Sequence, residues 1–231
     1  MKIGKKSERN SIENQTEDDY EKQYRKQSQK ERGQNKIKEI QELKDTIPKR
    51  FKKKSFSNFN KKRNLNAWKI CIEYASNYIE NAKQGKGLFL TGPVGTGKTH
   101  LAVAINDYIA RILKRKLNYH TRFIIFTTAI DLLSEIKYSY ESSDTESTIK
   151  RYENCSLLIL DDLGIEKSTE WTHELFYKII DTRYSNQKPT IITTNLSDEE
   201  LKIKLSERIT SRVYEMCEGV KLIGGDFRLS R

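Results

Sequence analysis

The eight residues Gly92 to Thr99, GPVGTGKT, constrain this chain more than any other stretch. The spacing GxxxxGK[ST] makes physical sense as a strand, a tight glycine turn and a helix, in that order. Gly92, Gly95 and Gly97 let the backbone turn sharply and aim successive N–H groups at one anion. The apolar run Leu88-Phe89-Leu90 leads into the turn, and the helix-like stretch His100 to Leu113 follows it with its positive N-terminal end. A phosphate cradle is therefore expected from Gly92, Pro93, Val94, Gly95, Thr96 and Gly97 through to His100. Within it Lys98 reaches the β- and γ-phosphates and the Thr99 hydroxyl is suited to Mg2+.

Around that loop, apolar runs alternate with helical periodicity. Asn66 to Asn81 carries an apolar stripe that includes Trp68, Cys71, Tyr74 and Tyr78, and His100 to Leu113 repeats the pattern. Phe123 to Thr127 reads as a buried strand, Ile130 to Tyr138 as a helix and Glu141 to Glu146 as a loop. Leu157 to Leu160 is a fully apolar strand, Trp171 to Tyr184 a helix and Thr190 to Thr194 a β-branched strand. This alternation predicts an α/β fold with a mainly parallel sheet covered on both faces.

At 231 residues the chain suits one such domain plus an appendage. No run approaches the roughly 18 apolar residues of a membrane span, and the N-terminal MKIGKKSERN leads into no signal core. A cytoplasmic protein with no membrane partner is expected. Cys71, Cys155 and Cys217 form no CxxC pair, so they are expected to be small buried hydrophobes, not zinc ligands or disulfides.

Charge is distributed unevenly. Residues 1–63 hold 20 Lys and Arg against 10 Asp and Glu, whereas the remainder holds 23 against 22. A basic extension on a near-neutral core favours a polyanion, most simply nucleic acid, although a solvated tail has the same composition. Residues 1 to about 33 are too polar to offset their ordering entropy, and Ile37, Ile40, Leu43 and Ile47 mark a short amphipathic helix that docks on a partner or on the chain's own core. From Ile47 to Arg63, eight basic residues interleave with Phe51, Phe56 and Phe59. Those rings either stack on bases or anchor the segment beside the nucleotide.

Two further strands end in polar residues. LLILDD delivers Asp161 and Asp162 at a strand's C-terminal edge, where open α/β sheets bind ligands. Asp161 is suited to a metal and Asp162 to activating a water, although paired acids also cap turns. TIITTN ends in Asn195, a neutral amide able to orient water beside a γ-phosphate, although an Asn after a strand is most often a turn former.

Taken together, IPKRFKKKSFSNF, GPVGTGKTHLAVAI, LLILDDLG with Trp171 just beyond, KPTIITTNLS, SERITSR and GGDFR resemble bacterial DnaC/DnaI-type helicase loaders. These are AAA+ ATPases related to the initiator DnaA, and the resemblance spans about residues 47–231; IstB-type transposition ATPases share most of the motifs. It implies an AAA+ P-loop core with a five-stranded sheet over residues 66–231, a basic linker at 47–65 and a helical or disordered extension at 1–46. It further implies ATP and Mg2+ as cofactors, slow ATP hydrolysis coupled to assembly, and single-stranded DNA and a replicative hexameric helicase as partners. By position, Lys98 and Thr99 form the phosphate and metal site, Asp161 and Asp162 the Walker B acids and Asn195 sensor 1. Arg208 resembles an arginine finger acting in trans on a neighbouring subunit of a homo-oligomer, with Arg212 on the same helix face, and Arg228 a sensor-2-like phosphate contact. A full C-terminal helical lid is not expected, and neither is the zinc-binding docking domain of some loaders. Alternative readings within this resemblance are an IstB-type transposase helper and an adaptor that binds ATP with little turnover.

Overall fold

The computed structural model describes residues 47–62, 64–115, 124–227 and 229. The amphipathic pattern before Ile47, the polar N-terminal stretch and Arg228 lie outside them.

Five strands form one sheet: β1 (Gly87–Thr91), β2 (Ile124–Thr128), β3 (Leu157–Leu163), β4 (Thr190–Thr194) and β5 (Cys217–Lys221). Their order is β2-β3-β4-β1-β5 and every pairing is parallel. Eight helices connect or cover them: α1 (Leu65–Ser76), α2 (Tyr78–Lys83), α3 (Lys98–Arg115), α4 (Ala129–Ser139), α5 (Thr145–Asn154), α6 (Glu170–Ser185), α7 (Asp198–Leu205) and α8 (Glu207–Met216). Among the described residues no helix follows β5.

Side chains on a strand alternate between faces, so each apolar strand serves two cores. Leu88, Leu90, Leu157, Ile159 and Ile191 join α1 and α3 on one face. Phe89, Leu158, Leu160 and Ile192 join α4, α5, α6, α7 and α8 on the other. That is why LLIL and TIIT read as continuous apolar runs.

The basic segment before α1 belongs to the first core. Phe56 and Phe59 are buried there and Phe51 packs against it, while Lys49, Arg50, Lys52, Lys53, Lys61 and Lys62 are exposed, Lys61 with its ammonium 3.9 Å from the centre of the Trp68 ring. The rings are structural anchors; base stacking by Phe56 and Phe59 is excluded by their burial.

Several local features explain the boundaries. The helix expected over 66–81 breaks at Asn77 into α1 and α2. Helix α7 starts on a capping box: the Ser197 hydroxyl accepts from the Glu200 N–H and the Glu200 carboxylate accepts from the Ser197 N–H. The loop read at Glu141 to Glu146 ends early, because α5 begins at Thr145. Helix α5 buries Ile149, Tyr152 and Glu153 from a mostly polar sequence, whose low apolar content makes it read as a loop. Strand β5 buries only Cys217 and Val220.

Arg183 on α6 is fully buried and acts as a cross-brace. Its guanidinium donates to the carbonyls of Tyr152 (2.8 Å), Cys155 (3.1 Å) and Pro189 (2.6 Å) and to the Thr190 hydroxyl (2.9 Å). It thereby ties the end of α5 to the start of β4. The three cysteines are buried thiols; burial pushes Cys71 and Cys217 up to about 12, which keeps them protonated and inert.

Candidate nucleotide site

Strands β3, β4 and β1 lie side by side, and the phosphate loop, the two acids and Asn195 occur at or just beyond their C-terminal ends. Sheet order thus assembles residues separated by about a hundred positions.

In the loop, Gly97 has φ +105°, and a Cβ there would stand 2.8 Å from the Phe59 ring. The aromatic anchor of the basic segment therefore braces the phosphate loop directly, and no other residue fits. Thr96 is buried and its hydroxyl donates to the Pro93 carbonyl at 2.8 Å, whereas Val94 is exposed. Lys98 is only 4% exposed. Its ammonium donates to the Gly92 carbonyl at 2.7 Å, the Pro93 carbonyl at 2.9 Å and Asn195 Oδ1 at 2.5 Å, which links the loop to β4. The assignment of Asn195 as an acceptor follows, since an ammonium has donors only.

Asp161 is 3% exposed, and its Oδ1 accepts from the Thr193 hydroxyl at 2.6 Å and the Thr99 hydroxyl at 3.1 Å. Burial is the chief reason its carboxyl is pushed up to about 6; nearby Asp162 adds to the rise, while the two hydroxyls and Lys98 oppose it. Thr193, absent from the sequence-based site, is a hub: it donates to Asp161 and accepts from the Asp162 N–H at 2.9 Å. The doubled Thr in TIITTN was the available signal. Asp162 sits at an irregularity in the β3–β4 register with φ +54°, which interrupts the regular alternation of side chains along β3. Asp tolerates the left-handed region better than most residues, and a bulge re-aims side chains at such edges.

The donor set fits Mg2+. A serine- or threonine-type hydroxyl beside one carboxylate is the oxygen-only arrangement that this ion uses when phosphates complete its shell. Among the described residues no cluster of three or more His, Cys, Asp or Glu offers a metal a cage of its own.

The remaining predicted residues lie apart from this network. His100 turns toward the basic segment: its Nε2 donates to the Ser55 carbonyl and to Asn58 Oδ1, both at 3.0 Å, and Phe59 meets its ring edge-on at 5.1 Å. Burial holds the imidazole below its ordinary value. Arg208 is exposed on α8, its guanidinium 5.1 Å from the Tyr177 ring centre. Arg212 is paired with Asp181 at 2.6 Å and lies over Tyr177 and Tyr184, which gives it a local partner on its own chain. A cavity of about 410 Å3 lined by Glu73, Tyr74, Lys86 and Glu218 lies at the N-terminal ends of β1 and β5, away from this chemistry.

A model of the IstB-like ATP binding protein family matches residues 13–231. The chain belongs to that family. Two curated relatives show how the IstB-like family meets another group. An insertion sequence IS232 putative ATP-binding protein from Bacillus thuringiensis subsp. berliner is 34% identical over 64% of this chain and 57% of its own length. A replicative helicase loader DnaC from Buchnera aphidicola is 31% identical over 61% of this chain and 54% of its own. The chain thus spans just over half the length of these relatives. A crystal structure of the DnaC helicase loader superposes with a TM-score of 0.67 at 32% identity, covering 76% of this chain and all of that one. This IstB-like protein is therefore an ATP-binding AAA+ protein of DnaC type, with an insertion-sequence putative ATP-binding protein among its relatives.

Proposed function

We propose that the protein is an ATP-controlled helicase loader: ATP and Mg2+ bind at the loop, and the ATP state governs assembly on a replicative hexameric helicase and on single-stranded DNA. The observation that carries the reading is the hydrogen-bonded set Lys98, Asn195, Thr99, Asp161 and Thr193, which joins the ends of three adjacent strands. The loop N–H groups and Lys98 would hold the phosphates, and Thr99 and Asp161 would hold Mg2+. Bound there, Mg2+ would offset charge that builds up on the phosphates. Asn195 would orient the attacking water and Asp162 would accept its proton. Asp162 carries its carboxylate on a short side chain, which fits slow turnover. Arg208, exposed on α8 beside Tyr177, would act on the ATP of a neighbouring subunit.

The outward lysines of residues 49–62 support contact with DNA phosphates. With Phe56 and Phe59 buried, this contact would be electrostatic and would weaken steeply as salt rises. A second reading, an ATPase that assists a transposase, is favoured by the family match and by the IS232 relative. Pull-downs of the full chain with and without ATP separate the two. ATP-dependent capture of a replicative helicase supports the loader; capture of a transposase with no helicase bound overturns it.

A further inference from the structure

The described part of the closing motif, Gly224 to Phe227, lies against the phosphate loop, which the loop's own sequence gives no reason to expect. Just after β5, the Leu222 N–H donates to the Thr91 carbonyl at 2.7 Å, extending the strand's hold on β1. The buried Asn64 side chain then clamps Ile223, accepting from its N–H at 2.9 Å and donating to its carbonyl at 3.1 Å. Gly224, at φ +110°, turns the chain back, and the Phe227 N–H donates to the Gly95 carbonyl at 3.3 Å. Between these anchors sits Asp226, half-buried, whose Oδ1 stands 2.0 Å from where a Cβ on Gly95 would be. Gly95 is thus required for space as well as for its φ of +77°.

A carboxylate has been brought to the loop whose N–H groups, with Lys98, form its anion-attracting surface. We propose that Asp226 is an internal counter-anion of the phosphate loop, setting how tightly the loop holds ATP. The proposal rests on the loop being the ATP phosphate site. The reasoning is electrostatic: the same positive field that attracts phosphates stabilises the carboxylate, and the two anions oppose each other at short range in a partly desolvated place. ATP must either push the carboxylate aside, breaking the contact of residues 226–227 with Gly95, or bind beside it against like-charge repulsion. In both cases the negative charge lowers affinity, and removing it raises affinity. The anchors at Leu222 and Asn64 lie on the far side of Gly224, so the arm that carries Asp226 can shift without undoing β5.

The test is ATP titration of the full chain by calorimetry, comparing wild type, Asp226→Asn and Lys98→Ala at low and high salt. Asp226→Asn keeps the shape and removes the charge; it is expected to bind ATP roughly tenfold more tightly at low salt, with the gap narrowing as ions screen the repulsion. Asp226→Ser, which shortens the side chain as well, is expected to shift affinity the same way, so a fault peculiar to the Asn variant cannot mimic the result. Wild-type binding that is lost in Lys98→Ala, together with a Kd in both Asp226 variants equal to or above that of wild type, would overturn the counter-anion and leave the loop assignment standing. ATP binding that survives Lys98→Ala unchanged would overturn the loop assignment, and the proposal with it.

Discussion

Replacing Asp161 by Asn separates what the site costs the fold from what it contributes to ligand binding. The carboxyl is 3% exposed and lies at about 6, against an ordinary 3.8. Between those two values the folded chain binds more protons than the unfolded chain, so this group makes stability fall as pH rises through that window. A carboxyl raised by about two pH units costs the fold about 3 kcal/mol at most, and relaxation of the neighbours reduces the expected figure to about 1–2 kcal/mol. The Asn amide oxygen can still accept from Thr99 and Thr193, so the substitution removes a buried charge and keeps the hydrogen bonds. Urea denaturation of the metal-free, nucleotide-free protein between pH 4 and 8 is the assay. The variant should match wild type near pH 4 and be the more stable protein above pH 7. His100, whose imidazole is held low and which therefore loses stability as pH falls, is common to both proteins and cancels in the difference. With Mg2+ and ATP present the order should reverse, because wild type alone gains the full ligand stabilisation. A variant less stable than wild type at pH 8, or a difference that does not change with pH, would refute the argument.

Three further outcomes are expected. Arg183→Ala should lose about 3–5 kcal/mol in chemical denaturation, since it strands three buried carbonyls and leaves a cavity where the guanidinium stood; a loss below about 1 kcal/mol would show that the brace is dispensable. Phe59→Ala should cost about 3 kcal/mol and also weaken ATP binding, because the ring both fills the core and supports Gly97; unchanged ATP affinity would limit Phe59 to packing. Arg208→Ala should leave ATP affinity unchanged in titration while lowering the hydrolysis rate of the assembled protein. Mixing it with Lys98→Ala should restore part of that rate if the arginine acts on a neighbour, and no restoration would count against action in trans.

The candidate site positions could be picked out from sequence because each signal is local: a glycine spacing before a helix, acids at the end of an apolar strand, an amide at the end of another. The alternation of strands and helices likewise announced a parallel sheet, since period-2 burial on both faces leaves long apolar runs. Elements of low apolar content escaped, as α5 and β5 did, because so few of their residues are apolar that they read as loop. What tertiary structure alone decided is adjacency. Strand order put Asn195 on Lys98 and Thr193 on Asp161, and placed Asp162, with its left-handed backbone, at an irregularity in the β3–β4 register. The fold also turned Phe56 and Phe59 inward from a segment whose charges face out, and laid Asp226 on Gly95. Such contacts depend on where distant segments meet, and that is set by packing two cores against one sheet, which no local pattern encodes.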